Sequence, residues 1–138
     1  MKIVIDSNRV IAALLKDSTT RSILYDKKFD FVAPSYIFSE IKKYKEDIAK
    51  RIGMSDNDFG TLLKLVFDNI TIIPEAKYSK IIKELNKEIS DFKDLSYLAV
   101  AVLTEAKGIW THDLHFKEQS KIKIFTNIDL LRFINKED

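Results

Sequence analysis

The chain has 138 residues, 46% of them hydrophobic and 32% charged, with a formal net charge of +2. That length and composition fit one soluble globular domain, residues 1–138, with a core that needs no disulfide or structural metal. The lack of cysteine excludes thiolate zinc sites and thiol nucleophiles, no apolar run approaches the ~20 residues of a membrane helix, and the near-neutral balance decides little about partners.

Met1-Lys2-Ile3 enters an apolar strand at once, and polar residues follow by position 6, which resembles no secretory signal. With the missing cysteines, this gives a cytoplasmic location as the expectation. Residues 2–6 read as a buried strand, short and β-branched. A helix over 8–16 presents Val10, Ile11, Leu14 and Leu15 on one face, and the polar run 17–20 offers N-caps for a short helix over 21–25. Residues 29–33 form a second strand closed by Pro34. Ser35 is the expected N-cap of a helix over 36–51, with Ile37, Ile41, Tyr44 and Ile48 as its buried stripe and Gly53 at its end. Ser55-Asp56 opens a helix to Phe67, with Phe59, Leu62, Leu63 and Val66 inward. Residues 70–73 are a third strand, stopped by Pro74.

A helix over 76–89 follows. Ser90-Asp91 caps the next, over 93–106, and Gly108 is expected to end it in the left-handed conformation. Strands at 109–111 and 123–125 and a helix from Asn127, its expected cap, to Phe133 complete the chain. The alternation implies a mainly parallel sheet covered by helices on both faces, with a site beyond the strands' carboxyl ends where their order reverses.

Four acids stand at element ends. Asp6 closes "KIVID" and Asp113 follows "GIWTH", so each leaves an apolar strand at its rim. Asp6 also suits a helix N-cap, and Asp113 also suits a turn. Glu40 lies about 100° from Ile41, on the edge of the buried stripe, though pairing with Lys43 would equally explain it. Asp94 begins a helix, where the helix dipole also favours an acid. Asp91 adds a fifth acid nearby. Converging carboxylates repel one another and need cations. Oxygen ligands without cysteine or a paired-histidine motif point to Mg2+ or Mn2+, a chemistry suited to phosphodiesters. His112 and His115 read as loop residues, and Thr111 as a hydroxyl that orients a carboxylate or a water. Lys42, Lys43, Lys45 and Lys117 are candidates for a phosphate-binding rim, or simply solvated faces.

Asp6 in "VIDSN", Glu40 after "PSYIFS", Asp94 in "KDLSYLAVA" and Asp113 in "WTHDLHF" together resemble the PIN-domain nucleases, which include the virulence-associated protein C toxins. The resemblance spans about residues 2–134. It implies a Rossmann-like α/β/α sandwich around a central, mainly parallel sheet of four to five strands. It also implies a metal-dependent ribonuclease acting on single-stranded RNA, with Asp6, Glu40, Asp94 and Asp113 as ligands and Asn8 and Thr111 in support. Family members leave a 5′-phosphate, often form homodimers, and as toxins are restrained by an antitoxin. The alternative reading is a non-catalytic PIN-like module that binds RNA or protein. A haloacid-dehalogenase-type phosphatase is disfavoured because Asn8 stands where that chemistry wants a second Asp.

Overall fold

The computed structural model describes residues 1–85, 92–119 and 121–136. Strands β1 (Lys2–Ile5), β2 (Asp30–Pro34), β3 (Ile70–Ile73), β4 (Gly108–Trp110) and β5 (Lys123–Phe125) form one parallel sheet in the order β3-β2-β1-β4-β5. Around it are helices α1 (Ser7–Leu14), α2 (Ser18–Leu24), α3 (Ile37–Ile52), α4 (Asp56–Phe67), α5 (Glu75–Leu85), α6 (Phe92–Leu103) and α7 (Asn127–Asn135). The result is the Rossmann-like α/β/α sandwich.

Burial follows from this layering. Ile3, Val4 and Ile5 of β1 and Ile109 and Trp110 of β4 are wholly buried, as central parallel strands covered on two faces must be. Helix α6 packs on β1, β2 and β4 through an unbroken buried run, Leu95 to Ala101. Pro34, which lacks an N–H, sits beyond the last β1–β2 pair, Val4↔Val32, where no donor is required. The chain lays down β1, β2 and β3 outward in one direction, then returns to place β4 on the other side of β1. The reversal therefore falls between β1 and β4, and Asp6 and Asp113 follow the carboxyl ends of these two neighbouring strands, one on each flank of the crevice.

Several local expectations need correction. Ser35 does not cap α3: its N–H stays in the sheet, donating to Ile73 O at 2.9 Å, and Tyr36 takes the cap position, its side chain making no capping bond to the helix. Thr126, not Asn127, caps α7, in a reciprocal capping box with Asp129. Gly108 does not end α6 in a left-handed turn. Glu105 takes the positive φ of 55° there, and Gly108 is the first residue of β4. Its lack of a side chain is needed for another reason. A Cβ would lie 2.5 Å from Phe125 Cε2 and 2.6 Å from Lys123 O, so only glycine lets β5 approach. Gly53, by contrast, ends α3 with φ 67° as expected.

Candidate metal centre

Asp6 is the N-cap of α1 as well as the last residue above β1. Its backbone is extended, its N–H still pairs with Trp110 O at 3.0 Å, and its carboxylate is 5% exposed. Oδ1 accepts the Ser7 N–H at 2.7 Å. Oδ2 accepts the Thr111 hydroxyl at 2.6 Å and the Asn8 amide at 3.0 Å. The capping role and the rim position, which stand as alternatives in sequence, are thus both realised by one side chain. Thr111 Oγ1 also accepts from Asn8 Nδ2 and from the Asp113 N–H at 2.9 Å, so one hydroxyl ties the exit of β1 to the exit of β4.

Asp113 caps a 3-10 turn over Leu114–Glu118, its Oδ1 accepting the His115 N–H at 2.9 Å. Gln119 clamps the far end of that turn by donating to Phe116 O and Ile122 O and accepting the Ile122 N–H. Asp94 lies in the first turn of α6 and is 6% exposed. Glu40 lies in the first turn of α3, and its Oε1 accepts the Tyr97 hydroxyl at 2.5 Å. Tyr97 is buried one helical turn beyond Asp94, edge-on to the Phe116 ring. It therefore joins α3, α6 and the turn after Asp113.

Asp6, Glu40, Asp94 and Asp113 line one cavity of about 380 Å³, together with Ser7, Asn8, Ile11, Tyr44, Lys93 and His115. Four acids separated by up to 107 positions in the chain meet because each occupies an element end on the same side of the sheet. Asp91 lies outside the described residues. Lys42, Lys43 and Lys45 are exposed on α3, and Lys117 is exposed beside Asp113 in an adjoining apolar cavity with His112 and Ile128. None of these four lysines lines the acidic cavity; Lys93 does.

The electrostatics are those of a crowded anion site. Burial pushes the Asp6 carboxyl up to about 7; the Glu40 and Asp94 charges add to the rise, and the Thr111 and Ser7 hydrogen bonds oppose it. Burial, and then the Asp6 and Glu40 charges, push the Tyr97 phenol far above its ordinary range, so it remains a donor to Glu40. His112 is pushed down by burial and by Arg9. A carboxylate whose ionisation is opposed first by burial and then by its acidic neighbours is one that a cation would return to full charge. The donors fit such an ion: carboxylate oxygens of Asp94 and Asp113 and a ring nitrogen of His115 lie within 4.8 Å of one another.

Three residues here are absent from the sequence-based set. His115 has 69% of its side chain exposed but sits at the cavity mouth, its Nδ1 3.4 Å from Asp113 Oδ1. Tyr97 is marked in the sequence only by its three-residue offset from Asp94. Tyr44 is 43% exposed, not buried. Its helical phase matches Ile41 and Ile48, but the stripe at that point faces the cavity and not the core.

Residues 4–126 match the family described as PIN domain. Among solved structures, VapBC2 from Rickettsia felis, bound to a DNA fragment from their promoter, is similar in fold, with a TM-score of 0.67 over 91% of this chain and 98% of that one, at 17% identity. A search of the curated proteins finds no match.

Proposed function

The chain belongs to the PIN-domain family, and from that premise we propose that it is a Mg2+- or Mn2+-dependent endoribonuclease. It hydrolyses phosphodiester bonds of single-stranded RNA, as the toxin of a toxin–antitoxin module. The observation that carries this reading is the meeting of Asp6, Glu40, Asp94 and Asp113 in one cavity above the β1/β4 reversal.

We assign Asp6, Asp94 and Asp113 to hold the cation, with Glu40 beside them to hold the attacking water. When bound, it supplies the positive charge that draws in the phosphate and lowers the pKa of water. Thr111 and Asn8 fix Asp6 Oδ2, so that carboxylate has little freedom left to lose on binding. Tyr97 fixes Glu40, which orients the attacking water and takes its proton. The water oxygen bonds to phosphorus, the bond to the 3′ oxygen breaks and that oxygen is protonated, leaving a 5′-phosphate.

Lys42, Lys43 and Lys45, exposed on the helix that carries Glu40, and Lys117, exposed four residues after Asp113, serve as RNA contacts, and Lys93 at the cavity wall meets the incoming phosphate. The working unit is a single domain, 1–138, acting in the cytoplasm as a homodimer. An antitoxin covers the acidic cleft. No helix among the described residues is long and apolar enough to cross a membrane.

The test is cleavage of single-stranded RNA with Mg2+ or Mn2+ and with a chelator. Metal-dependent products that vanish in Asp94→Asn support the reading. RNA binding without metal-dependent products would instead make the chain a non-catalytic RNA-binding module.

A further inference from the structure

We infer that His115 is a nitrogen ligand of the cation, which makes this centre a mixed carboxylate–imidazole site selective for Mn2+ and related transition ions over Mg2+. The inference rests on the metal centre of the proposed function and adds to it a residue that the four-acid set does not contain.

Three observations place the ring. The His115 main-chain N–H donates to Asp113 Oδ1 at 2.9 Å, so the residue's backbone is fastened to a carboxylate of the cavity. Its ring nitrogen and one oxygen each of Asp94 and Asp113 lie within 4.8 Å of one another, a spread that the ligands of a single six-coordinate ion can occupy. Nδ1 stands 3.4 Å from Asp113 Oδ1, longer than an N–H···O hydrogen bond. The ring thus already stands within ion-pair reach of a carboxylate of the cavity, and its high exposure lets it turn toward a shared ion.

The support behind the ring is firm even though the ring itself is not buried. The 3-10 turn is anchored below by Phe116, wholly buried against Tyr97, and closed by the three Gln119 hydrogen bonds. The turn therefore delivers residue 115 to the cavity mouth whatever the side chain does. Imidazole suits later first-row ions, whereas Mg2+ prefers oxygen and retained water. One nitrogen among carboxylates thus shifts preference without abolishing Mg2+ binding.

The experiment is pulsed EPR of Mn2+ added to the full chain, with binding titrations of Mn2+ and Mg2+ alongside. The wild type should show nitrogen modulation from a coordinated imidazole, and His115→Ala should lose it. The same variant should bind Mn2+ at least about tenfold more weakly and Mg2+ nearly unchanged. Because His115 is exposed, the variant should fold as the wild type does, which circular dichroism checks. Mn2+ bound in a manner that Asp94→Asn abolishes, but with no nitrogen signal or one that survives His115→Ala, overturns the inference and leaves the acidic centre standing. Mn2+ that fails to bind, or binds equally to Asp94→Asn, overturns both.

Discussion

Replacing Asp6 by Asn should make the metal-free protein more stable while ending its cation chemistry. The Asp6 carboxyl rises from the ordinary 3.8 to about 7, chiefly by burial and then by the Glu40 and Asp94 charges. Between those two values the folded chain holds a proton that the unfolded chain has released. Stability therefore falls as pH climbs through that window, and the full cost is present above pH 7. A displacement of this size corresponds to about 4 kcal/mol. Asn carries no charge and escapes the cost. It introduces a mismatch instead, because its amide nitrogen would face Asn8 Nδ2 at the position now held by Oδ2. That takes back about 1–2 kcal/mol. The net gain is about 2 kcal/mol near pH 8, or roughly 6 °C in Tm for a chain of this length. Near pH 4.5 Asp6 is protonated in the folded state, only about 1 kcal/mol of the cost remains, and the mismatch cancels it, so the gain should vanish. Thermal melts in chelator at the two pH values measure both numbers. A variant less stable than wild type near pH 8, or a difference independent of pH, would refute the claim that the acids are crowded at a cost to the fold.

Tyr97→Phe removes the donor to Glu40 Oε1 inside the protein and should destabilise by about 1–2 kcal/mol, read by denaturant unfolding; an unchanged midpoint would mean the bond contributes nothing. Gly108→Ala sets a methyl group against the Phe125 ring and the Lys123 carbonyl and should cost about 2–3 kcal/mol, whereas alanine at Gly60, where nothing lies within 4 Å, should be tolerated. In the Asp94→Asn background, neutralising Lys42, Lys43, Lys45 and Lys117 together should weaken RNA binding and flatten its salt dependence by about 0.7 in slope per lost phosphate contact. An unchanged slope would return those lysines to the role of solvated surface.

The parallel sheet was legible because β1 and β4 are continuous apolar runs and helices separate the strands; the adjacency of β1 and β4 was not, because nothing local specifies strand order, and it is the sheet that shows it. The four acids were legible for the same reason, each interrupting an apolar pattern at an element boundary. Contacts made across the chain were harder to read. Gly108 carries the composition of a helix stop, but its constraint comes from Phe125 seventeen residues later. Thr126 and Asn127 are both good caps, and the Asp129 side chain decides between them. Tyr44 has the phase of a core residue, and only the position of the cavity shows that α3 has run past the core there. His115 has no helical or paired spacing with any of the four acids, because its nearness to Asp94 exists only once α6 and the 3-10 turn are packed together.

The most direct test is a crystal of the protein soaked in Mn2+ and measured for anomalous scattering. A peak in the cavity between Asp94 and Asp113, with Asp6 and Glu40 beside it, is the predicted result. A soaked crystal with no anomalous peak in that cavity, or with manganese only elsewhere on the surface, would contradict the account.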